Sequence, residues 1–173
     1  MKIEIDIPFI DESNITHEQR ELLRLVIEAH QKSARNNNAS TAAAVNAFHG
    51  SCDFNNAVIG AISTVGHKHG PINEARRVWL FGNTFTICPG FGNSFYPDGD
   101  PAWIPVSDHI KKHFPEYAEK LDNFNKFYAP KVKPNAAMWT AITCEILCWP
   151  WRFESLIFIL ARIPVWADII FRQ

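Results

Sequence analysis

Apolar residues recur at intervals of three and four along most of this chain, which is the spacing that places them on one face of an α-helix. In the first such run, Leu22, Val26 and Ile27 follow a capping-box pattern formed by Thr16 and Gln19. Further helical patterns cover residues 40–48, 53–65, 71–79, 107–114, 116–128, 135–148 and 152–171, the last with a break near Pro164. Only residues 2–7 alternate apolar and charged side chains as a strand does. The spacing therefore predicts an all-α fold with at most a short N-terminal strand.

One segment, residues 83–105, lacks this periodicity. It contains three glycines and four prolines, a composition that is typical of an extended loop. Loops longer than about 12–15 residues are uncommon inside compact domains and usually carry function. We therefore expect this loop to contribute to a functional site.

Length and charge limit the class of protein. For 173 residues one domain is expected, and we divide the chain into an N-terminal extension (1–15) and one compact helical domain (16–173). The net charge of −1 argues against nucleic-acid binding through phosphate neutralisation and against a polybasic membrane-surface protein.

No transmembrane helix is expected, because the most apolar stretch is interrupted by Glu154, Arg162 and Asp168. Four cysteines are too few for a disulfide scaffold, and the N-terminus shows no signal-peptide core, so we expect a cytoplasmic protein.

Three short motifs occur in order along the chain. They are Asn-Ala-Ser-Thr at 38–41, Gly-His-Lys-His-Gly-Pro-Ile-Asn-Glu-Ala at 66–75, and Pro-Gly-Phe-Gly-Asn-Ser-Phe-Tyr at 89–96 with Asp-Pro at 100–101. In this order and spacing they resemble the citrate synthase superfamily, which includes citryl-CoA lyases. Residues 134–138 and 158–166 are similar to the closing helices of that family. The resemblance extends from about residue 22 to the C-terminus. It implies an all-α domain like the C-terminal half of citrate synthase, with shortened connections, that forms a homodimer.

The resemblance gives His69 a role. In the family, a neutral histidine at the start of the helix in the second motif hydrogen-bonds the thioester carbonyl of acetyl-CoA, and His69 occupies that position. A helix N-terminus carries positive partial charge, which favours a neutral imidazole and a developing enolate. The family also uses an aspartate as general base, a loop histidine that polarises the ketone of oxaloacetate, and arginines that bind its carboxylates.

Several of these family positions carry other residues in this chain. Asn93 stands at the loop-histidine position, Ala102 at the arginine after Asp-Pro, Ala137 at the general base, and Arg35 at a second substrate histidine. Loss of the base alone removes roughly 10²–10⁴ of the rate, so ordinary citrate synthesis is not expected. The residues that remain available to a ligand are Asn38, His69, Asn93 and Arg162.

We therefore predict a citrate-synthase-like protein with a degenerate catalytic centre. It binds a CoA thioester or a small carboxylate around His69, the catalytic candidate, with Asn38, Asn93 and Arg162 as substrate-binding residues. No cofactor is expected beyond the CoA thioester as substrate or ligand. No metal site is expected, because His67 and His69 have no third ligand nearby in the sequence.

Arg162 lies among apolar residues, so we expect its guanidinium to be partly buried. A buried charge needs a partner. That partner is either a bound carboxylate or a structural acid such as Glu145 or Glu154, and the sequence leaves both interpretations open.

Two alternatives to the ligand-binding interpretation follow from the residues. One is a non-catalytic, dimeric interaction protein that reuses the scaffold and binds a protein partner through tryptophans, which are enriched at interface hot spots. The tryptophans concerned are Trp103, Trp149, Trp151 and Trp166. The other alternative is an enzyme that forms or cleaves a C–C bond of an acyl-CoA with a substituted base, His67, His30 or Glu74.

The homodimer is predicted under each of these interpretations. The helix predicted at 53–65 carries small residues, including Gly60 and Ala61, and small residues allow another backbone to approach closely. We expect this helix to form a contact surface between subunits.

Overall fold

The computed structural model describes residues 14–34, 38–66 and 68–172. The helices are α1 (His17–Lys32), α2 (Ala39–Ser51), α3 (Phe54–Ile62), α4 (Ile72–Phe81), α5 (Ile104–His113), α6 (Pro115–Tyr128), α7 (Ala136–Ile146) and α8 (Glu154–Phe171), with a 3₁₀ turn at Pro101–Trp103 before α5. No strand occurs within the described ranges, where Phe91 and Pro134 form an isolated bridge. The all-α prediction is confirmed. The strand expected at 2–7 lies outside the described residues, as do Arg35 and His67.

Polar caps fix the beginnings of several helices. At α1, the Thr16 hydroxyl accepts from the backbone N–H of Gln19 at 3.2 Å, and the Gln19 side chain accepts from the Thr16 N–H at 3.0 Å. Asp53 caps α3 and Asn135 caps α7, each by accepting a backbone N–H two residues later. These bonds satisfy N–H groups that have no partner inside the helix.

α7 is the most buried helix. Eight of its eleven residues are buried, among them Met138, Thr140 and Ile142. It packs in the main hydrophobic cluster together with side chains of α1, α4, α5, α6 and the first half of α8. Ala137, in the first turn of α7, belongs to this cluster.

A second, smaller cluster joins α2, α3 and the end of α8. A Cβ atom at Gly60 would lie 2.9 Å from Ala47 Cβ and 3.3 Å from the carbonyl oxygen of Ala43, and Ala61 is fully buried. The small residues of α3 therefore allow close packing against α2 of the same chain. Packing within the chain accounts for these two small residues, and a contact between subunits on this helix stays a prediction.

α8 runs without interruption from Glu154 to Phe171, so the expected break near Pro164 is absent. Proline at this position cannot donate to the carbonyl of the preceding turn. The helix continues because both of its halves are buried, with Phe158 in the main cluster and Trp166 in the small one. α5 also departs from expectation, since it begins at Ile104, before the predicted start at 107, and carries a proline in its first turn, where proline is tolerated.

The loop between α4 and α5 passes close to α4 and α7. Gly90 has a φ of +88°, and a Cβ atom there would lie 2.9 Å from Met138 Cε and 3.0 Å from Ala75 Cβ. The Gly92 N–H donates to Lys133 O at 2.9 Å, and the Asn135 N–H donates to Gly90 O at 2.8 Å. Glycine therefore lets the loop reach the N-terminal end of α7. Across the described ranges, no helix is long and apolar enough to cross a membrane.

Candidate functional site

A cavity of about 320 Å³ lies where the end of α1, the start of α2, the turn before α4, the α4–α5 loop, the start of α7 and the middle of α8 meet. All four residues singled out in the sequence, Asn38, His69, Asn93 and Arg162, line it. They come from segments up to 124 positions apart in the chain (162 − 38). The structure brings the predicted residues together, and their roles stay predictions.

Phe158, a buried residue of α8, organises three polar side chains of the cavity. The rings of His30 and His69 meet the Phe158 ring edge-on, with centroids 5.2 Å and 5.4 Å away. The guanidinium carbon of Arg162 lies 5.1 Å from the centre of the same ring. One fixed aromatic ring thus positions two imidazoles and one cation.

His69 lies in a turn just before α4, three residues ahead of the first helical residue, Ile72. Reciprocal backbone hydrogen bonds with Gly66, at 2.8 Å and 3.2 Å, hold the turn. Its Nε2 atom is 2.9 Å from the hydroxyl oxygen of Ser40 in the first turn of α2. Burial, together with the positive charge of Arg162, lowers the pKa of His69. The imidazole is therefore neutral at pH 7.

Arg162 is a buried cation with an exposed fraction of 4%. Its Nε and Nη1 atoms have no hydrogen-bond partner among the described residues. Burial lowers its pKa to about 10, while the negative charge of Asp100 acts in the opposite direction. The two acids considered as structural partners, Glu145 and Glu154, form ion pairs with Arg76 instead. Its charge therefore has no direct counter-ion in the described part of the chain.

His30 is a cavity residue that the sequence analysis named only as a substituted base. It is 1% exposed, and its Nε2 lies 2.8 Å from Thr140 Oγ1. Burial, aided by the charge of Arg162, lowers the pKa of His30 to about 3. A sequence signal was available, because His30 follows Leu22 and Val26 at intervals of four and lies on the buried face of α1.

The α4–α5 loop contributes Asn93. The Oδ1 atom of Asn93 accepts from the backbone N–H of Phe95 at 2.9 Å, so the Nδ2 hydrogens are the part of the amide that can donate to a ligand. Asn38 precedes α2 as its N-cap residue. Two amides thus flank the cavity and can supply neutral hydrogen bonds.

Asp100 is the carboxylate in the lining of this cavity. Its Oδ2 accepts from the Ser33 hydroxyl at 2.8 Å, and its Oδ1 accepts from the Ala102 N–H at 3.0 Å. Both oxygens are therefore used in holding the loop. Ala137, at the family's base position, contributes a methyl group to the cavity and is 4% exposed.

Most of the residues proposed for the two alternative functions lie outside this cavity. Of the substituted bases, Glu74 lines a separate surface groove. Trp103, Trp149 and Trp166 are at most 2% exposed, whereas Trp151 is 48% exposed. The expectation that the four tryptophans form a binding patch is wrong, because three of them pack in the core.

In the ranges described, no group of three or more His, Cys, Asp or Glu side chains could hold a metal ion.

Comparisons with known proteins support the fold. No protein-family model and no curated protein matches the sequence. Among solved structures, citryl-CoA lyase from Hydrogenobacter thermophilus matches with a TM-score of 0.76 at 17% identity, over 91% of this chain and 70% of that chain. Citrate synthase from the archaeon Thermoplasma acidophilum, in a ternary complex with carboxymethyl coenzyme A and oxaloacetate, matches with a TM-score of 0.68 at 18% identity, over 90% and 48%. Citrate synthase from Thermotoga maritima MSB8 matches with a TM-score of 0.69 at 19% identity, over 91% and 49%.

These matches define the class of structure. The chain has the all-α fold of the citrate synthase superfamily over most of its length, as the sequence motifs predicted. It spans about half the length of the two citrate synthases and 70% of the length of the lyase.

Proposed function

We propose that this protein binds a small carboxylate, alone or together with a CoA thioester, in the cavity around His69 and Arg162. The observation that carries the proposal is the buried guanidinium of Arg162, whose Nε and Nη1 atoms have no partner in the described residues. Removing a charge from water costs several kcal/mol unless a counter-ion is present. A carboxylate is the group whose geometry a guanidinium matches best.

His69 is the candidate for contact with a thioester carbonyl. Its lowered pKa keeps the imidazole neutral, so it can donate a hydrogen bond without adding a second positive charge beside Arg162. The Thermoplasma acidophilum citrate synthase has both a coenzyme A derivative and oxaloacetate in its ternary complex. Those two ligand chemistries correspond to the two groups that we assign to the cavity.

We propose further that the catalytic centre is degenerate. Ala137 supports this proposal, because a methyl group cannot accept the α-proton of a thioester. Loss of a general base removes roughly 10²–10⁴ of a rate. Asp100, the carboxylate of the cavity, uses both oxygens to hold Ser33 and Ala102, so both are already engaged within the protein.

The homodimer and the cytoplasmic location are also proposals. Exposed apolar side chains on α3, Ile59 at 65% and Ile62 at 37% exposure, support association through the outer face of that helix. A monomer at micromolar concentration in light scattering contradicts the dimer.

A non-catalytic interaction protein is the second candidate function. Phe81 and Trp151 favour it, because they are 77% and 48% exposed and stack with their ring centroids 6.4 Å apart. This function requires a protein partner and no small ligand, so the experiment below distinguishes it from the first.

Calorimetric titration tests the proposed function. CoA and acetyl-CoA are titrated with and without oxaloacetate or citrate, and free thiol is assayed in parallel. We expect saturable binding in the wild type and in the control Arg77→Met, which changes an exposed arginine outside the cavity. Affinity falls at least about tenfold in Arg162→Met, the size expected for loss of a charged hydrogen bond.

The same titration has two other informative outcomes. Release of thiol above the uncatalysed rate would show that the protein is an acyl-CoA enzyme with a substituted base. Absence of binding with all of these ligands would refute the proposed function and favour the interaction protein.

A further inference from the structure

His109 and His113 lie one turn apart near the C-terminal end of α5, on the same side of that helix. The centroids of their imidazole rings are 4.5 Å apart. Two imidazoles that bind one metal ion in adjacent positions, each at a metal–nitrogen distance of about 2.1 Å, have centroids about 4.5–5 Å apart. The two rings are therefore already as close as a shared metal ion requires.

A backbone carbonyl orients the ring of His109. Its Nε2 atom lies 2.9 Å from the carbonyl oxygen of Glu18, in the first turn of α1. A carbonyl oxygen can only accept, so Nε2 carries the hydrogen, and Nδ1 of the neutral ring keeps its lone pair. Histidines that bind metal ions almost always donate their other ring N–H to a carbonyl, a carboxylate or water, which fixes the ring and raises its basicity. His109 already makes this second hydrogen bond.

The electrostatic surroundings of the pair favour a cation. The main cause that lowers the pKa of Glu18 is a hydrogen bond from its own backbone N–H, and the charges of His17 and His113 act in the same direction. The Glu18 carboxylate is therefore close enough to His113 to attract a cation to it. The C-terminal end of α5 adds negative partial charge, while Lys111 and Lys112 of the same turn oppose the attraction.

We propose that His109 and His113 form a binding site for a divalent transition-metal ion, Zn²⁺, Ni²⁺ or Cu²⁺. His109 supplies Nδ1 and His113 supplies one ring nitrogen. Water completes the coordination, because no group of three His, Cys, Asp or Glu side chains in the part of the chain that the structure describes could hold an ion. Imidazole suits these ions, whereas Mg²⁺ and Ca²⁺ prefer oxygen ligands.

This site is separate from the cavity. Glu18 and His30 are twelve residues apart (30 − 18) on α1, which is about 18 Å along the helix, and His30 is the one that lines the cavity. The inference therefore does not depend on the proposed function. A metal ion on Nδ1 would make the Nε2–H of His109 a stronger donor to Glu18 O, because a bound ion is the largest charge in its surroundings. The ion would thus strengthen the contact between the start of α1 and the end of α5.

Calorimetric titration with metal salts alone tests the site. Zinc, nickel and copper(II) chlorides are titrated at pH 7.5 into the wild type and into His113→Ala, which should fold because His113 is exposed at the end of α5. We expect a saturable binding event in the wild type whose affinity falls at least about tenfold in the variant, since loss of a second-shell partner alone costs roughly 10–100-fold. Magnesium chloride should give no saturable heat. Wild-type affinity in His113→Ala overturns the inference.

His17→Ala is the matched control. His17 is also exposed, and its charge acts on Glu18 as that of His113 does, but it is not a ligand in the proposed pair. The control should keep wild-type affinity for all three ions. A loss as large as that in His113→Ala would show that the ion responds to the charge of the whole cluster, which contradicts a site formed by two imidazoles.

The ¹⁵N shifts of the imidazoles provide a test that does not depend on affinity. In the metal-free protein at pH 8 we expect a hydrogen on Nε2 of His109 and none on Nδ1. Zinc chloride should shift Nδ1 of His109 and one nitrogen of His113, and should leave the hydrogen on Nε2 of His109. A hydrogen on Nδ1 in the metal-free protein, or zinc-induced shifts confined to other histidines, overturns the inference.

Discussion

Arg76 and Arg162 are equally buried, each 4% exposed, yet their surroundings differ in kind. Arg76 on α4 forms ion pairs with Glu145 of α7 and Glu154 of α8, and its guanidinium lies 4.4 Å from the centre of the Trp151 ring. Burial lowers the pKa of Arg76, but the hydrogen bonds and charges of Glu145 and Glu154 raise it overall. For Arg162, burial dominates and the pKa falls to about 10.

The difference separates Arg76, a structural cation, from Arg162, the cation that we propose binds a ligand. Arg76 joins three helices through charges that cancel within the protein. Arg162 has no direct counter-ion among the described residues and lies beside a cavity. Four predictions follow from this contrast, two on the arginines themselves and two on the cavity histidines.

The largest expected effect is the loss of stability on substitution of Arg76. Arg76→Leu leaves Glu154, which is fully buried, without its counter-ion, so the free energy of unfolding should fall by about 3–5 kcal/mol. Urea unfolding followed by circular dichroism measures this. The control Arg172→Leu breaks an exposed pair with Asp168 and should change stability little. A loss in Arg76→Leu no larger than in the control contradicts the structural assignment.

For Arg162, we do not expect substitution to lower the free energy of unfolding. Arg162→Leu removes a buried charge that has no direct partner, so the free energy of unfolding should stay constant or rise by about 1–3 kcal/mol. Carboxylate binding should be lost in the same variant. The same urea unfolding experiment measures the first effect, and titration measures the second. If Arg162→Leu loses as much stability as Arg76→Leu, Arg162 is a structural residue and the binding interpretation fails.

A smaller effect should appear on acidification. His30 has a pKa of about 3 in the folded protein and about 6.5 when unfolded. Between these values the unfolded chain binds a proton that the folded chain does not. Stability should therefore fall as pH decreases from 6.5, by up to about 1.4 kcal/mol per pH unit.

Comparison with His30→Leu isolates this contribution, because the variant keeps every carboxylate of the wild type. The slope of unfolding free energy against pH, between pH 6.5 and 4.5, should be shallower in the variant. His69 titrates in the same direction, since its pKa is also lowered. Identical slopes in the wild type and the variant would show that His30 is not held neutral by burial.

The contrast between the two arginines also shows what the sequence could predict. Local patterns specified local structure. The capping box of Thr16 and Gln19 is formed as predicted. The family resemblance implied that Asn38, His69, Asn93 and Arg162 contact one ligand, and all four line one cavity.

The choice of partners could not be predicted. Glu145 and Glu154 were reasonable partners for Arg162 but pair with Arg76. The rotation of α4, α7 and α8 about their axes decides which side chains of these helices come into contact. Periodicity in the sequence identifies the buried face of a helix but does not identify the helix that covers it. Gly60 illustrates the same limit, since its small size indicated a close contact but not that α2 forms it.

The smallest predicted effect concerns His69, which shares the Phe158 ring with Arg162 but carries no charge. His69→Ala should weaken binding of acetyl-CoA about tenfold, the effect of one hydrogen bond. The free energy of unfolding should change little, because the side chain is half-buried and makes one side-chain hydrogen bond, to Ser40.

His109→Ala is the matched control, since His109 is also half-buried and bonds one oxygen, Glu18 O at 2.9 Å, outside the cavity. Calorimetry should give wild-type affinity for that control. Unchanged affinity in His69→Ala would leave Arg162 as the sole determinant of binding and remove the thioester from the proposed function. A loss in both variants would mean that binding responds to general loosening of the fold.

The predicted pattern, a loss of affinity in His69→Ala alone, requires His69 to contact the ligand or to orient a group that does. Ser40→Ala distinguishes these two cases, because it removes the group that fixes His69 while leaving the imidazole in place, and a smaller loss than in His69→Ala indicates direct contact.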